Sequence, residues 1–374
     1  MGRRPTVYDV AARAGVSIAT VSFVFTQPDR VRKSTREAVL AAAGDLGYVP
    51  SASARGLAKG RTGAIGLYTF DYLLDSVPSG PPARGPGIAA ETDIRRFPLY
   101  VDEVQWGVEL ECRQRGYALM LGAGHNPGNL PAVIDIAGRV DGLIAFAGSA
   151  PPEAIIQVAR RIPVVELGGE ARAEGVYTVL VDNRTGMREL TEHLLVAHGL
   201  RRMVYLGERG TPEFRARYDG FADALTAHGL PVPEPVRSHP SDDPSTIAAV
   251  RPYIESGALP DVFVCATDQE ALVAIDTLRA AGVDVPGGVA VTGFDGTVAA
   301  RLATPRLTTV RQPMEEVGRT AVRILAGVLA DATPPDEPGV LSGADALNGA
   351  AGADRAWLPT TFVRGSSCGC VATV

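Results

Sequence analysis

The stretch Thr6–Ser22, TVYDVAARAGVSIATVS, decides how this chain is organised. Thr6 can cap a helix, with Asp9 three residues on. Val7, Val10, Ala11 and Ala14 recur at helical spacing and fall on one face. Gly15 ends that helix. Ser17 caps a second one through about Thr26, with Val21 and Val24 facing inward. Only Gly15-Val16-Ser17 separates the two. Glycine supplies the turn and Ala11 lets the helices approach closely, which is helix-turn-helix spacing. Ser34-Thr35-Arg36-Glu37 has the form of a capping box. It predicts a third helix with Val39, Ala42, Ala43 and Leu46 on one face, stopped by Gly47 and Pro50.

Charge separates this head from the rest. Residues 1–62 hold ten Lys/Arg against four Asp/Glu, whereas the remaining residues hold 26 against 38. A basic head on an acidic body points to a polyanion partner for the head alone. At 374 residues, 46% apolar and 21% charged, the chain can bury more than one core. No run of about 18 apolar residues could span a membrane. The first apolar cluster is broken by Asp9 and Arg13, unlike a secretory leader, so a cytoplasmic location is expected. Four cysteines, at 112, 265, 368 and 370, are too scattered for a disulfide scaffold. Cys368 and Cys370 form a C-x-C without a further Cys or a His nearby in the chain, so they read as tail thiols and no metal site is expected.

Beyond a short basic linker, SASARGLAKGRT at 51–62, strands and helices alternate. Ile65–Tyr68, Ala118–Leu121, Gly142–Phe146, Val164–Leu167, Val179–Val181, Met203–Leu206, Val262–Ala266 and Val289–Gly293 read as strands. Helices fall at Val104–Arg115, Gly186–Ala197, Tyr218–His228, Gln269–Ala280 and Glu315–Leu329. This rhythm predicts parallel sheets covered on both faces, with units enough for two subdomains. Residues 74–98 and 332–355, rich in Pro, Gly and Ala, look like insertions.

The chain resembles the lactose-repressor (LacI) family of bacterial transcription regulators. The resemblance rests on TVYDVAARAGVSIATVS, VRKSTREAVLAAAGDLGYVPSASARGLAKGRTGAIGL, VDNRTGMRELTEHLL, ATDQEALVAIDTLRAAGVDVPGGVAVTGFD and TPRLTTVRQPMEEVGRTAVRIL. It implies an α/β protein. A three-helix helix-turn-helix domain (1–50) and a hinge (51–62) would precede a two-lobed, periplasmic-binding-protein-like (type I) effector and dimerisation domain (63–374). It implies a homodimer on near-palindromic operator DNA, modulated by a small effector such as a sugar or nucleoside.

The same resemblance implies roles for particular residues. Ile18, Ala19 and Phe23 take the base-reading slots. All three are apolar here, so they can pack on thymine methyls but cannot hydrogen-bond to guanine or adenine. Phosphate contacts fall to Thr6, Ser17, Thr20, Ser22 and Thr26. In the hinge, Leu57 would wedge into the minor groove beside Arg55. Effector contacts fall to Arg217 and Asp295, expected on opposite rims of the cleft, with Phe70 and Asp71 at the first strand's end, Asp268 and Phe294 as further candidates. Where relatives often carry an acid after the strand VVEL, this chain has Gly168-Gly169. A solute-binding protein of the same lobe fold is the competing reading. No P-loop, G-x-S-x-G or H-E-x-x-H motif points to an enzyme, and no cofactor is implied.

Overall fold

A computed structural model of the chain describes residues 5–50, 61–70, 99–124, 130–169, 173–240, 243–331 and 355–371. The chain forms two compact units, Met1–Gly63 and Ala64–Val374.

In the first unit α1 (Val7–Ala14) and α2 (Ile18–Thr26) are joined by Gly15-Val16-Ser17. Gly15 takes φ 65°, a left-handed turn that suits glycine. The Asp9 carboxylate accepts hydrogen bonds from the Thr6 amide and hydroxyl, both at 2.7 Å. Ser17 Oγ accepts from the Thr20 amide at 3.1 Å, capping α2. The third helix, α3 (Lys33–Leu46), corrects one expectation. It starts at Lys33 with Arg32 at the cap and no side-chain cap bond, so Ser34 lies inside the first turn. The core is Val10, Ala11, Val21, Val24, Val39, Ala42 and Ala43.

The second unit has two lobes. The first contains β1 (Ala64–Phe70), α4 (Leu99–Arg115), β2 (Ala118–Gly124), α5 (Leu130–Ala137), β3 (Gly142–Phe146), α6 (Pro152–Ala159), β4 (Val164–Leu167) and β5 (Val176–Val181). Then come α7 (Asn183–Ala197), β6 (Met203–Leu206), α8 (Pro212–Ala227), α9 (Asp243–Ser256), β7 (Val262–Cys265), α10 (Asp268–Ala280), β8 (Ala290–Thr292), α11 (Val298–Leu302) and β9 (Thr309–Arg311) of the second lobe. The chain closes with α12 (Met314–Asp331), β10 (Arg355–Leu358) and β11 (Thr361–Val363). Arg355, placed in an insertion by the sequence reading, begins a strand instead.

The first lobe's sheet runs β10-β5-β4-β3-β1-β2, with every pairing parallel. The second lobe's runs β6-β7-β8, also parallel, and β11 pairs antiparallel with β9 beside it. Continuous apolar strands such as GLIAF and VFVC are buried along their whole length, as parallel strands covered on both faces must be. In the first lobe α4 and α12 cover one face. They pack closely at Gly107 and Gly318: a Cβ at Gly107 would lie 2.0 Å from the Glu315 carbonyl oxygen. Three segments cross between the lobes: β5 to α7, β9 to α12, and β10 to β11. The first and last are hydrogen-bonded, the Asp182 amide to the Leu358 carbonyl at 3.0 Å. No single helix among the described residues is long and apolar enough to cross a membrane.

Candidate DNA interface and effector cleft

On the head, α2 buries Val21 and Val24, packs Phe25 against the same core and turns an outer face to solvent. Ile18 and Phe23 are 41% and 43% exposed. Ala19, Ser22 and Thr26 are also exposed, and Thr20 is half-buried. Phe23 is therefore outside the core, which takes its aromatic partners from Phe25 and Tyr48 instead. The proposed phosphate contacts also serve the fold: Ser17 Oγ lies 2.9 Å from Thr20 Oγ1, and Thr26 Oγ1 donates to the Ser22 carbonyl at 2.8 Å. Arg55 and Leu57 lie outside the described residues.

In the second unit Arg217 projects from α8 into the interior of the second lobe. Its Nε donates to Asn183 Oδ1 at 2.8 Å and its Nη1 to the Ala266 carbonyl at 2.6 Å. The same Nη1 lies 3.3 Å from Asp295 Oδ1. The guanidinium stacks over the Phe294 ring, 4.1 Å from its centroid, and near Phe214 at 5.2 Å. Arg217 and Asp295 thus sit side by side on one lobe, correcting the expectation of opposite rims. Both follow second-lobe elements: α8 leaves β6, and Asp295 follows β8.

Asp295 adopts φ 122°, which a non-glycine residue rarely does. Its amide donates to the Val310 carbonyl, and Gln312 Nε2 donates to its Oδ1 at 2.7 Å. Asp268 is fully buried. It accepts from the Thr297 amide, the Thr297 hydroxyl and the Thr309 hydroxyl at 2.7, 3.0 and 2.6 Å, so it ties down the loop that carries Asp295. Burial pushes both carboxyl groups above the usual range. The donors oppose this at Asp268, and Arg217 with Gln312 opposes it at Asp295. Glu270 is pushed up to about 7 by burial, against hydrogen bonds from Ser238 and Thr267.

The first lobe contributes aromatic groups. Phe70 ends β1 half-buried, with its ring centroid 6.4 Å from that of Phe146. Tyr100, at the start of α4, packs edge-on to Phe146 at 6.1 Å. Burial raises the Tyr100 phenol well above its usual range, Asp295 adds to that rise, and Arg217 opposes it. Asp71 lies outside the described residues.

Among the described residues, contacts bridge the lobes at two places. The Gly169 amide donates to the Glu213 carboxylate, and Arg311 Nη2 lies 3.2 Å from Glu103 Oε2. A Cβ on Gly168 would lie 2.5 Å from Glu213 Oε1. The acid missing after VVEL is thus met by a carboxylate reaching across from α8. Glu213, Tyr100, Phe146, Asn183 and Gln312 were not singled out from sequence. Asn183 and Gln312 lie within VDNRTG and VRQP, two of the quoted blocks, but nothing local shows that they hold Arg217 and Asp295. A concavity of about 660 Å³ beside Glu208, Ser238 and His239 includes neither Arg217 nor Asp295. The tail corrects another expectation: Cys368 and Cys370 have no histidine near them in sequence, but His193 and His198 meet them in space.

The model for bacterial regulatory proteins of the lacI family matches residues 6–51, and that for a periplasmic binding protein-like domain matches residues 191–368. The chain is 33% identical to the HTH-type transcriptional repressor PurR of Erwinia tasmaniensis over 331 residues, covering 86% of this chain and 89% of the relative. It is 32% identical to the HTH-type transcriptional regulator CelR of Thermobifida fusca over 333 residues, covering 86% and 91%. Among solved structures, a complex of the regulator CelR with cellobiose matches at TM-score 0.63 and 27% identity, covering 97% of this chain and all of that one. A lac repressor dimer bound to operator and the anti-inducer ONPF shares the fold at TM-score 0.72 and 24% identity, covering 98% and 99%. With an exposed face on its second helix, a two-lobed unit that buries the Arg217–Asp295 pair and relatives matched over most of both chains, this chain belongs to the lacI family of bacterial transcriptional regulators, which bind DNA and respond to a small effector.

Proposed function

We propose that the chain is a cytoplasmic, homodimeric repressor without catalytic activity, binding a near-palindromic operator and a sugar or nucleoside effector. The observation that carries the effector class is the pairing of Arg217 with Asp295 beside Phe294, with Phe70 and Tyr100 packed on Phe146 in the other lobe. A polyhydroxylated ring offers vicinal donors and acceptors to a charge pair and a flat face to aromatic rings. Relatives support that class: one solved regulator holds cellobiose, and a family regulator from Enterococcus faecium holds ribose. Asp295 and Arg217 would grip the ligand, with the fully buried Phe294 backing the guanidinium, Phe70 opposite and Asp268 holding the loop. Ile18, Ala19 and Phe23 would pack on thymine methyls in the major groove, and Arg55 and Leu57 would engage the minor groove.

The test is calorimetry of the full chain against a panel of sugars and nucleosides. At least one should bind and shift operator affinity. Asp295→Asn keeps the side chain's shape and removes its charge, which should weaken that ligand by roughly 10–100-fold, the range for one charge-assisted hydrogen bond. Unchanged affinity in Asp295→Asn and in Arg217→Lys would place the effector elsewhere.

A further inference from the structure

The C-terminal tail ends against α7 in a cluster of four side chains. His193 comes from the last turns of α7, His198 from the residue just past it, and Cys368 and Cys370 from the tail beyond β11. Their ligand-capable atoms all lie within 4.8 Å of one another. The two Nε2 atoms are 3.2 Å apart. Cys370 Sγ lies 3.3 Å from each of them. Cys368 Sγ lies 3.5 Å from His198 Nε2 and 3.8 Å from His193 Nε2.

Hydrogen bonding does not account for this packing. Only one of two facing imidazole nitrogens can usefully carry a proton, and each thiol has one. Three protons serve five contacts. A shared ion does account for it. With bonds of about 2.0–2.1 Å to nitrogen and about 2.3 Å to sulfur, a tetrahedron sets N···N near 3.3 Å and N···S near 3.5 Å. The five edges that include a nitrogen, 3.2–3.8 Å, lie close to those lengths, and the sixth, between the sulfurs, is within 4.8 Å. We propose that His193, His198, Cys368 and Cys370 form a closed, structural zinc site. Two soft thiolates and two imidazoles with tetrahedral edges suit zinc, and four protein ligands leave no open position for catalysis. Binding displaces one proton from each thiol, so zinc with two thiolates and two neutral imidazoles is uncharged and fits a half-buried spot.

The surroundings are already arranged. Thr308 Oγ1 lies 3.0 Å from Cys368 Sγ, within reach to donate to a thiolate. His193 packs on the Phe362 ring of β11, 4.8 Å between centroids. Ser367 Oγ, next to Cys368, donates to the Val291 carbonyl and accepts from the Thr308 amide. Zinc would thus clamp the end of the third inter-lobe crossing to α7, whose first residue, Asn183, holds Arg217.

The full chain, purified reduced and stripped of metal, is titrated with zinc and then with cobalt. One zinc per chain should survive desalting, with Kd below about 1 μM. Cobalt should give the intense visible bands and thiolate charge-transfer absorption of a tetrahedral sulfur-ligated ion. Cys370→Ser and His198→Gln remove half-buried ligands and should fold. Each should weaken zinc by more than the roughly 10–100-fold typical of losing an outer hydrogen-bond partner. Zinc should also slow hydrogen exchange at residues 364–371 in the wild type and not in Cys370→Ser. Absence of retained zinc, a weak octahedral cobalt spectrum, or equal zinc affinity in both variants would overturn the site.

Discussion

On α2 of the head Ile18 and Phe23 stand 41% and 43% exposed, whereas in the effector unit Arg217 and Asp295 are each 6% exposed. The first pair puts apolar surface in water and the second puts charge in the interior. The two exceptions differ in what holds them. Exposed apolar groups cost the fold little and gain only when another surface covers them. Buried charges are costly and persist only because each has a partner: Asp295 has Arg217 and Gln312, and Arg217 has Asn183 and the Ala266 carbonyl as well. Substitution on α2 should therefore change binding without changing stability, and substitution in the cleft should change both.

The largest effect is expected at Arg217. Removing it leaves Asp295 buried without its cation, which typically costs about 3–5 kcal/mol. Arg217→Ala should lower the denaturant midpoint of the effector unit as well as abolish effector response. From sequence alone only the second loss is foreseen. The double variant Arg217→Ala/Asp295→Ala should recover much of the stability and none of the response. A denaturation midpoint for Arg217→Ala equal to wild type would break the comparison.

Glu270 probes the same interior by pH. Its carboxyl is pushed up to about 7 in the folded chain, mainly by burial. In the unfolded chain it ionises near its ordinary value, so between about 4.5 and 7 the folded state binds more protons. Stability from this group is present at low pH and is lost as pH rises through that window, by up to about 3 kcal/mol. Glu270→Gln mimics the protonated acid: one oxygen still accepts from Ser238 or Thr267, its amide donates to the other hydroxyl oxygen, and it cannot ionise. It should match wild type near pH 4.5 and be the more stable protein at pH 8, with thermal melts across that range as the readout. Equal pH profiles for the two proteins would mean the carboxyl ionises normally.

Phe23 tests the other side. Phe23→Ser should leave stability within about 0.5 kcal/mol, as for an exposed site. It should weaken a selected operator by roughly 1–3 kcal/mol, the range for one lost base-pair contact. Phe23 carries no charge, so the slope of log affinity against log salt should stay the same. A Phe23→Ser chain that melts early would put the ring in the core after all.

What was legible in the sequence follows from where each signal is stored. The turn at Gly15, the cap at Ser17 and the apolar strands GLIAF and VFVC are local patterns, and the structure follows them closely. The sequence reading lacks the helices over 152–159 and 298–302, and two others, 130–137 and 243–256, show why. Of these last two, the first is almost wholly apolar, without the polar face that marks a helix, and the second carries Pro252 inside it. The cleft was half legible: Arg217 and Asp295 could be carried over by motif, but their adjacency depends on a left-handed Asp295 and on β8 lying beside β9. The cluster of His193, His198, Cys368 and Cys370 joins residues about 170 positions apart, so no spacing rule could find it.

The smallest expected change lies within the head and tests why its stability is independent of the exposed face of α2. Seven small or medium residues make up the head's buried core, so secondary-structure propensity weighs more heavily there than in the effector unit. Gly44 sits inside α3 with ordinary helical geometry, and a Cβ added there meets nothing within 4 Å. Its carbonyl accepts from the Gly47 amide, a bond that alanine would keep. Gly44→Ala should therefore stabilise the head by roughly 0.5–1 kcal/mol, chiefly by reducing the freedom of the unfolded chain. Hydrogen exchange of the most protected amides of α1–α3 in the full chain should slow by about 2–5-fold. Amides of the effector unit should be unchanged, and operator affinity should stay within about twofold. If affinity rose along with protection, the free head would be substantially unfolded, and α2 would owe its binding face to DNA rather than to the core of Val10, Val21 and Val39.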